Sequence, residues 1–184
     1  TPKAIPNPSP APTPINSSIT ISGYDPADPI ADATVAVSIT HPQVQDLRVT
    51  LVAPDGTRVR LVTNQLTPGV SGADLRTRFD DAAAQEVTAG AAPYAGVFRP
   101  QFPAALRALA GKPLNGTWTL EVVDTQATPG GPPATLDGWS IGLLPASRLD
   151  QVPVAINDLS TAVSTLRVTG APADRVVNGA TVEV

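Results

Sequence analysis

The sequence predicts an all-β protein, an antiparallel β-sandwich with jelly-roll topology. Three observations support this prediction. Apolar and polar residues alternate with period two over many short segments, which is typical of strands that are buried on one face. The 184 residues include 21 prolines and 14 glycines, a content that favours many turns over long helices. Apolar residues make up 42% of the chain, which is enough for one hydrophobic core.

The first element is a proline-rich segment over residues 1–14. Six of its residues are proline: Pro2, Pro6, Pro8, Pro10, Pro12 and Pro14. Such a segment favours polyproline II and cannot pair as a central strand. We therefore expect a semi-rigid spacer of the kind that joins extracellular modules, followed by a folded domain over residues 15–146.

Alternating segments follow the spacer, and each predicts a half-buried strand. The apolar residues on their predicted inner faces are Ile19 and Ile21; Val35, Val37 and Ile39; Leu47, Val49 and Leu51; Val59 and Leu61; Trp118, Leu120 and Val122; and Trp139, Ile141 and Leu143. Both tryptophans are thus expected in the core. The stretch 103–110 is the only helix-like segment, and it is too short to stand alone. Long irregular connections over 63–75, 81–92 and 125–135 favour a jelly roll over a simple meander.

Composition excludes several classes of function. The net charge is −4 and the sequence shows no basic patch, so nucleic acid is not an expected partner. No apolar run approaches 18 residues, so no membrane-spanning helix is expected. Cysteine is absent and His41 is the single histidine, which argues against thiolate chemistry and zinc. The absence of methionine suggests a processed or excised chain.

Five sequence blocks point to a known family. In order along the chain they are DLRVTLVAPDGTRVRLV, RFDDAA, PYAGVFRP, NGTWTLEVVD and LDGWSIGLL. This series resembles the P-domain (P/Homo B domain) that follows the catalytic domain in subtilisin-like proprotein convertases and that also occurs in secreted bacterial proteins. The resemblance covers about residues 17–144. It implies a galactose-binding-like β-jelly roll of eight or nine strands and a secreted or cell-surface protein. Composition, with few lysines and many alanines and prolines, favours a bacterial gene.

The resemblance does not imply catalysis, because the P-domain is the accessory module in that family and the protease lies upstream. The residues agree with this expectation. A serine hydrolase needs a nucleophile, a base and an orienting acid, and His41 is the only histidine that can serve as the base. Neither a Gly-Thr-Ser-x-Ala stretch nor a G-x-S-x-G elbow occurs. We expect His41 to pack or to form hydrogen bonds, and we expect the chain not to be an enzyme by itself.

Carboxylates suggest a structural calcium ion. Calcium prefers six to eight oxygen ligands, often carboxylates beside loop carbonyls. Asp80 and Asp81 are adjacent at a predicted strand end, and Asp46 and Asp124 end other strands that a sandwich can bring near them. The alternative is that Asp80 caps backbone N–H groups or pairs with an arginine. A second acidic stretch, with Asp25, Asp28 and Asp32, is explained by turn formation, and calcium there is a weaker hypothesis.

The sequence predicts an internal repeat. When the sequence is shifted by 147 positions, residues 1–37 align with 148–184 without a gap. Gly23 meets Gly170, and the apolar alternation keeps its register throughout. Residues 147–184 are therefore predicted to be a linker followed by the first strands of a second repeat, or a donor-strand segment. These strands have three possible positions: in the next unit of a tandem array, folded back on their own domain, or in a sheet of another molecule.

The sequence supports one leading function and two alternatives. The leading hypothesis is a non-catalytic extracellular structural or interaction module of a repeat array or polymer. Residues 164–184 would then join copies of the chain, or neighbouring repeats, by β-strand addition. The alternative is the accessory P-domain of a secreted subtilisin-like serine protease. Carbohydrate or surface adhesion is a third hypothesis, weakened by the low aromatic content of 4%.

Overall fold

The computed structural model of this protein describes residues 2–63, 70–127 and 132–151. The predicted repeat strands over 164–184 lie outside these residues. The strands are β1 (Lys3–Ile5), β2 (Ile15–Ile21), β3 (Ile30–Thr40), β4 (Leu47–Val52), β5 (Arg58–Val62), β6 (Leu75–Asp80), β7 (Gly96–Phe98), β8 (Gly116–Asp124) and β9 (Ala134–Pro145). Short 3₁₀ turns lie at η1 (Val44–Asp46), η2 (Val87–Ala89), η3 (Leu106–Leu109) and η4 (Ala146–Gln151).

The strands form two sheets. The five-stranded sheet has the order β1-β9-β3-β6-β7, and the four-stranded sheet has the order β2-β8-β4-β5. All neighbouring strands are antiparallel except β6 and β7, which are parallel. The predicted all-β, mostly antiparallel sandwich is confirmed. Within the described residues no helix is long and apolar enough to cross a membrane.

The core lies between the sheets and takes one face of each strand. On β3 the residues alternate between buried and half-buried, and on β8 the alternation is similar, as period two requires when one face meets a second sheet. Trp118 on β8 is fully buried, and its indole N–H donates to the carbonyl oxygen of Leu114 at 3.0 Å. Its predicted place in the core is confirmed.

Trp139 differs from its prediction because it is only half-buried. It packs against the core from the margin of the five-stranded sheet, as do Ile141 and Leu143 of the same strand. The reason is positional: β9 has a strand beside it on one flank for its full length, but on the other flank only over three residues. Period two identified the face correctly, but the local pattern does not reveal how completely a face is covered.

The predicted spacer contains a short strand. Lys3–Ile5 pair with Ala134–Leu136 of β9 at the edge of the five-stranded sheet, and Ile5 is buried. These three residues are the only run in 1–14 that carries no proline over three positions, so all three backbone N–H groups are present. The helix-like stretch 103–110 also differs from a helix, since it forms only the 3₁₀ turn η3 with Leu106 and Leu109 buried.

Candidate functional site

The four predicted calcium ligands fall into two pairs at opposite ends of the sandwich. Asp80 ends β6 opposite Thr34 of β3, with Asp81 next to it. Asp124 ends β8 opposite Leu47, and Asp46 directly precedes Leu47. This second pair lies beside His41, which follows the last residue of β3. Because Thr34 and Thr40 are six strand residues apart, the two ends are separated by about 20 Å.

The second pair, Asp46 and Asp124, forms a buried cluster with His41. The exposed fractions are 2% for His41, 3% for Asp124 and 8% for Asp46. The Nε2 atom of His41 lies 3.4 Å from Oδ2 of Asp124, and its Nδ1 accepts a hydrogen bond from the backbone N–H of Gln43 at 3.0 Å. Since Nδ1 is an acceptor, the ring proton lies on Nε2 and faces the Asp124 carboxylate.

The surroundings of this cluster disfavour a negative charge on Asp46 beside Asp124. Burial raises the pKa of Asp46, and the negative charge of Asp124 raises it further, while His41 acts in the opposite direction. Hydrogen bonds between Asp46 and Thr125 nevertheless hold Asp46 next to the end of β8. The carbonyl oxygen of Asp46 accepts from the N–H of Thr125 at 2.9 Å and from its hydroxyl at 2.6 Å. Asp46 is thus fixed beside the end of β8 by main-chain geometry, at an electrostatic cost.

The arrangement gives His41 a structural role. Its two ring nitrogens have partners, a backbone N–H and a carboxylate, so neither is directed at a serine or threonine hydroxyl in the described part of the chain. Its backbone N–H also donates to Asp74 at 3.1 Å. His41 therefore ties the end of β3 to β8 and to the segment before β6. A cleft of about 230 Å³ lies outside the cluster, lined by Ile5, Asn7, His41, Pro42, Asp124, Pro132, Pro133 and Ala134.

Asp80 and Asp81 have different surroundings. Asp80 accepts a hydrogen bond from the N–H of Ala82 at 2.9 Å and lies 3.8 Å from the guanidinium of Arg78, which is the capping and arginine-pairing alternative. Asp81 accepts from the backbone N–H of Arg107 at 2.8 Å through Oδ2. Its Oδ1 is buried with no hydrogen-bond partner. Asp81 therefore has one carboxylate oxygen free to bind a further group.

The surroundings of Asp81 include an acid from the second acidic stretch. Asp32 and Asp81 line one cleft of about 350 Å³, together with Ala31, Ala82, Leu106, Arg107 and Ala110. In 2–63, 70–127 and 132–151 no three histidine, aspartate or glutamate side chains are grouped so as to hold a metal ion. Calcium would need backbone carbonyls or water for most of its ligands here.

The other two acids of that stretch have structural partners. Asp25 accepts from the N–H of Ala27 at 2.9 Å, as the turn prediction requires. Both carboxylate oxygens of Asp28 accept from Ser147, from its N–H at 3.0 Å and from its hydroxyl at 2.6 Å. These bonds lower the pKa of Asp28. Asp28 thereby anchors the beginning of η4.

Several contacts at both ends were not predicted from the sequence. Asp46 and His41 were considered separately, and so were Asp32 and Asp81, because each pair joins segments that the chain keeps apart. Tyr94 is buried at 2% exposure, and its hydroxyl accepts from the backbone N–H of Ser71 and donates to the carbonyl oxygen of Ser71. No local pattern signals these pairings, which depend on how β3, β6 and β8 are placed in the two sheets.

Comparison with known proteins places the fold in a family. The family model for the proprotein convertase P-domain matches residues 30–143. Among solved structures, a serine protease of Aeromonas sobria is 19% identical, with 76% of this chain and 24% of that chain covered and a TM-score of 0.45. The same protease in complex with the chaperone ORF2 is 20% identical, with the same coverage and a TM-score of 0.43. This chain thus spans about a quarter of the length of those proteins. The comparison with curated proteins gives no match. Because the matched residues make up more than half of the sequence and include six of the nine described strands in full and most of β9, the chain belongs to the proprotein convertase P-domain family.

Proposed function

We propose that this chain is the non-catalytic accessory P-domain of a larger secreted serine protease. The observation that carries the proposal is the family match over residues 30–143. The contacts of His41 also support it, because the ring of this single histidine accepts a hydrogen bond from a backbone N–H and faces a buried carboxylate. In this proposal the protein is extracellular and comes from a bacterium.

An accessory domain of this kind acts by binding the folded catalytic domain and not its unfolded chain. Such binding stabilises the partner by mass action. A covalent link between the two domains raises the effective concentration to the millimolar range, so even a weak interface is occupied. The sandwich is suited to this role because its buried core makes it a self-contained unit.

The test begins with the coding sequence on both sides of this chain. A subtilisin-like catalytic domain upstream is expected, and flanking sequence without a protease domain would overturn the proposal. The catalytic domain is then produced with and without this chain. We expect a shorter half-life of hydrolytic activity at elevated temperature when the chain is missing, with peptide hydrolysis as the measurement.

A histidine variant distinguishes accessory from catalytic roles in the same protein. His41→Asn is expected to retain hydrolysis per folded molecule, because both ring nitrogens of His41 bind partners within this domain. Loss of a catalytic base would reduce kcat by roughly 10⁴-fold or more. A fall of that size in protein that is still folded by circular dichroism would contradict the non-catalytic assignment.

A second candidate function is a module of a repeat array or polymer, and the predicted repeat of residues 1–37 at an offset of 147 positions favours it. In this case residues 164–184 bind neighbouring repeats or copies. The segments that the repeat duplicates include β1 and β2, and both are edge strands, the positions where a strand can be exchanged. The molar mass of the chain with and without residues 152–184 tests this function by light scattering. Concentration-dependent oligomers of the full chain alone support an array, whereas two monomers of equal stability argue against one.

Calcium remains part of the proposal as a structural cofactor. The Asp81 end is the better of the two positions because Oδ1 of Asp81 is buried without a partner and Asp32 lines the same cleft. The other position is the pair of Asp46 and Asp124. Asp80, the fourth predicted ligand, accepts a hydrogen bond from the backbone N–H of Ala82. We expect the melting temperature to rise with calcium over a chelator, and Asp81→Asn to abolish the rise while Asp55→Asn retains it. Equal melting temperatures with calcium and chelator would rule the ion out.

A further inference from the structure

One flank of β9 lacks a neighbouring strand over most of its length. On one side β9 pairs with β3 from Pro145 to Thr135, and on the other side it pairs with β1 only over Ala134–Leu136. From Asp137 to Leu144 no other strand of the described residues flanks it. This run is named the open edge. At about 3.3 Å per residue it is roughly 25 Å long.

Beyond Asp137, which is charged and lies at a register shift between β9 and β3, the open edge lacks the features that normally prevent strand addition. Edge strands are usually short, or carry charges, prolines or bulges that discourage pairing. Residues 138–144 read GWSIGLL and contain neither charge nor proline. Their inward-facing side chains, Trp139, Ile141 and Leu143, are only half-buried, and Leu144 is 37% exposed. A cleft of about 220 Å³ opens between this edge and β2. The edge therefore presents unpaired backbone and apolar surface together.

The chain leaves the sandwich at one end of this edge. The backbone N–H of Ala146 donates to the carbonyl oxygen of Pro29 at 2.9 Å, and Ser147 is bonded to Asp28. These bonds hold η4 beside the Leu144 end, while β1 occupies the other end. A strand that returned along β9 would be antiparallel to it, as β1 is. It would thus continue β1 in the same direction and fill the gap.

The sequence after η4 contains a segment with the required pattern. Residues 161–169 read TAVSTLRVT, in which one face carries Ala162, Ser164, Leu166 and Val168 and the other carries Val163, Thr165 and Arg167, so the alternation of apolar with polar residues is clear over Thr165–Val168. The ten residues between 151 and 162 can span about 33 Å when extended, which is more than the return loop requires.

We propose that residues 162–168 add to the open edge of β9 of their own chain as an antiparallel strand and cover Trp139, Ile141 and Leu143. The same chain is the favoured source because attachment at the Leu144 end gives an effective concentration in the millimolar range, above that of a second copy in dilute solution. This inference does not rest on the protease proposal, and it competes with the array candidate for the same residues.

Disulfide scanning tests the proposal in the full chain, which has no cysteine of its own. Ser140 is exposed on the outer face of β9, and Ser140→Cys supplies the fixed position. A second cysteine is introduced singly at each of Val163, Ser164, Thr165, Leu166 and Arg167. Since successive side chains of a strand point to opposite faces, positions 163, 165 and 167 are expected to form the disulfide within a monomer. The nearest of them should react at least about tenfold faster than positions 164 and 166, because only facing residues have Cβ atoms about 5 Å apart.

Each outcome of the scan decides the proposal. Alternating reactivity in a monomeric product supports it. Alternating reactivity in a disulfide-linked dimer overturns it and assigns the open edge to a second copy. Reactivity without alternation overturns strand addition altogether.

Fluorescence provides an independent readout with cysteine-free protein. Trp118 is fully buried and Trp139 is half-buried in the described residues, so a strand on the open edge protects Trp139 alone. Leu166→Pro removes a backbone N–H from the proposed strand and is expected to raise acrylamide quenching about twofold. Ala173→Pro, outside the proposed strand, is the matched control and should behave as the unmodified chain. Equal quenching in the two proline variants would contradict the inference.

Discussion

Gly116, the first residue of β8, is predicted to be the least replaceable glycine of the two-sheet core. Its φ is +129°, a region that L side chains rarely adopt. A Cβ added there would lie 2.5 Å from Cβ and 2.7 Å from Cγ of Pro54. The proline ring is tied to its own backbone, so it cannot turn aside as a flexible side chain would. Gly116→Ala therefore combines backbone strain with steric overlap.

The expected magnitude follows from these two terms. A non-glycine residue held in a sparsely populated φ region costs about 1–3 kcal/mol, and overpacking of this kind costs about 1–3 kcal/mol. We expect the free energy of unfolding to fall by about 3–4 kcal/mol. Gly56 is the matched control because its φ is also positive, +85°, while nothing lies within 4 Å of the added Cβ. Gly56→Ala should therefore cost only about 1–2 kcal/mol.

Urea denaturation followed by tryptophan fluorescence measures both variants. With an m-value near 2 kcal/mol/M, the extra loss of about 2 kcal/mol in Gly116→Ala lowers the midpoint by about 1 M relative to Gly56→Ala. A double-mutant cycle with Pro54→Gly isolates the overlap, since the ring is then absent and the coupling should recover about 1–2 kcal/mol. Equal midpoints for the two alanine variants, or no coupling in the cycle, would refute the reasoning.

Three further variants probe charge and packing. Asp46→Asn is expected to stabilise the protein at pH 7: the folded pKa of Asp46 is raised by burial and by Asp124, so its favourable contribution is complete below its ordinary value of 3.8 and is lost as the pH rises through the folded pKa. The gain in urea midpoint should vanish near pH 3, and a gain independent of pH would contradict this explanation. Asp55→Asn should have the opposite sign, because the hydrogen bond from Lys112 lowers the pKa of Asp55 to about 2. That stabilisation is present above the ordinary value and is lost as the pH falls toward 2, so destabilisation at pH 7 that disappears near pH 2 is the expected result. Leu51→Ala empties a fully buried position and should cost about 2–5 kcal/mol of unfolding free energy; a loss below 1 kcal/mol would mean that Leu51 is not part of the packed core.

The calcium prediction shows where local sequence information is limited. Asp80 and Asp81 lie at the end of β6 and Asp124 ends β8, as the sequence predicts, whereas Asp46 lies in the turn η1 directly before β4. Whether strand ends meet depends on strand direction and sheet order, which are global properties. Because β6 runs antiparallel to β3, its end lies at the opposite side of the sandwich from His41. The two pairs of carboxylates are therefore separated, and Asp81 is joined instead by Asp32.

The all-β class, the inward faces of the strands and the buried position of Trp118 were determined by the sequence itself. The physical reason is that period-two alternation is a local consequence of strand geometry and of burial on one face. Tertiary structure alone decided the close approach of Gly116 to Pro54, the grouping of His41 with Asp46 and Asp124, and the half-exposure of Trp139. Each of these depends on which strand lies beside which, and for how many residues, so it arises from contacts between segments far apart in the chain.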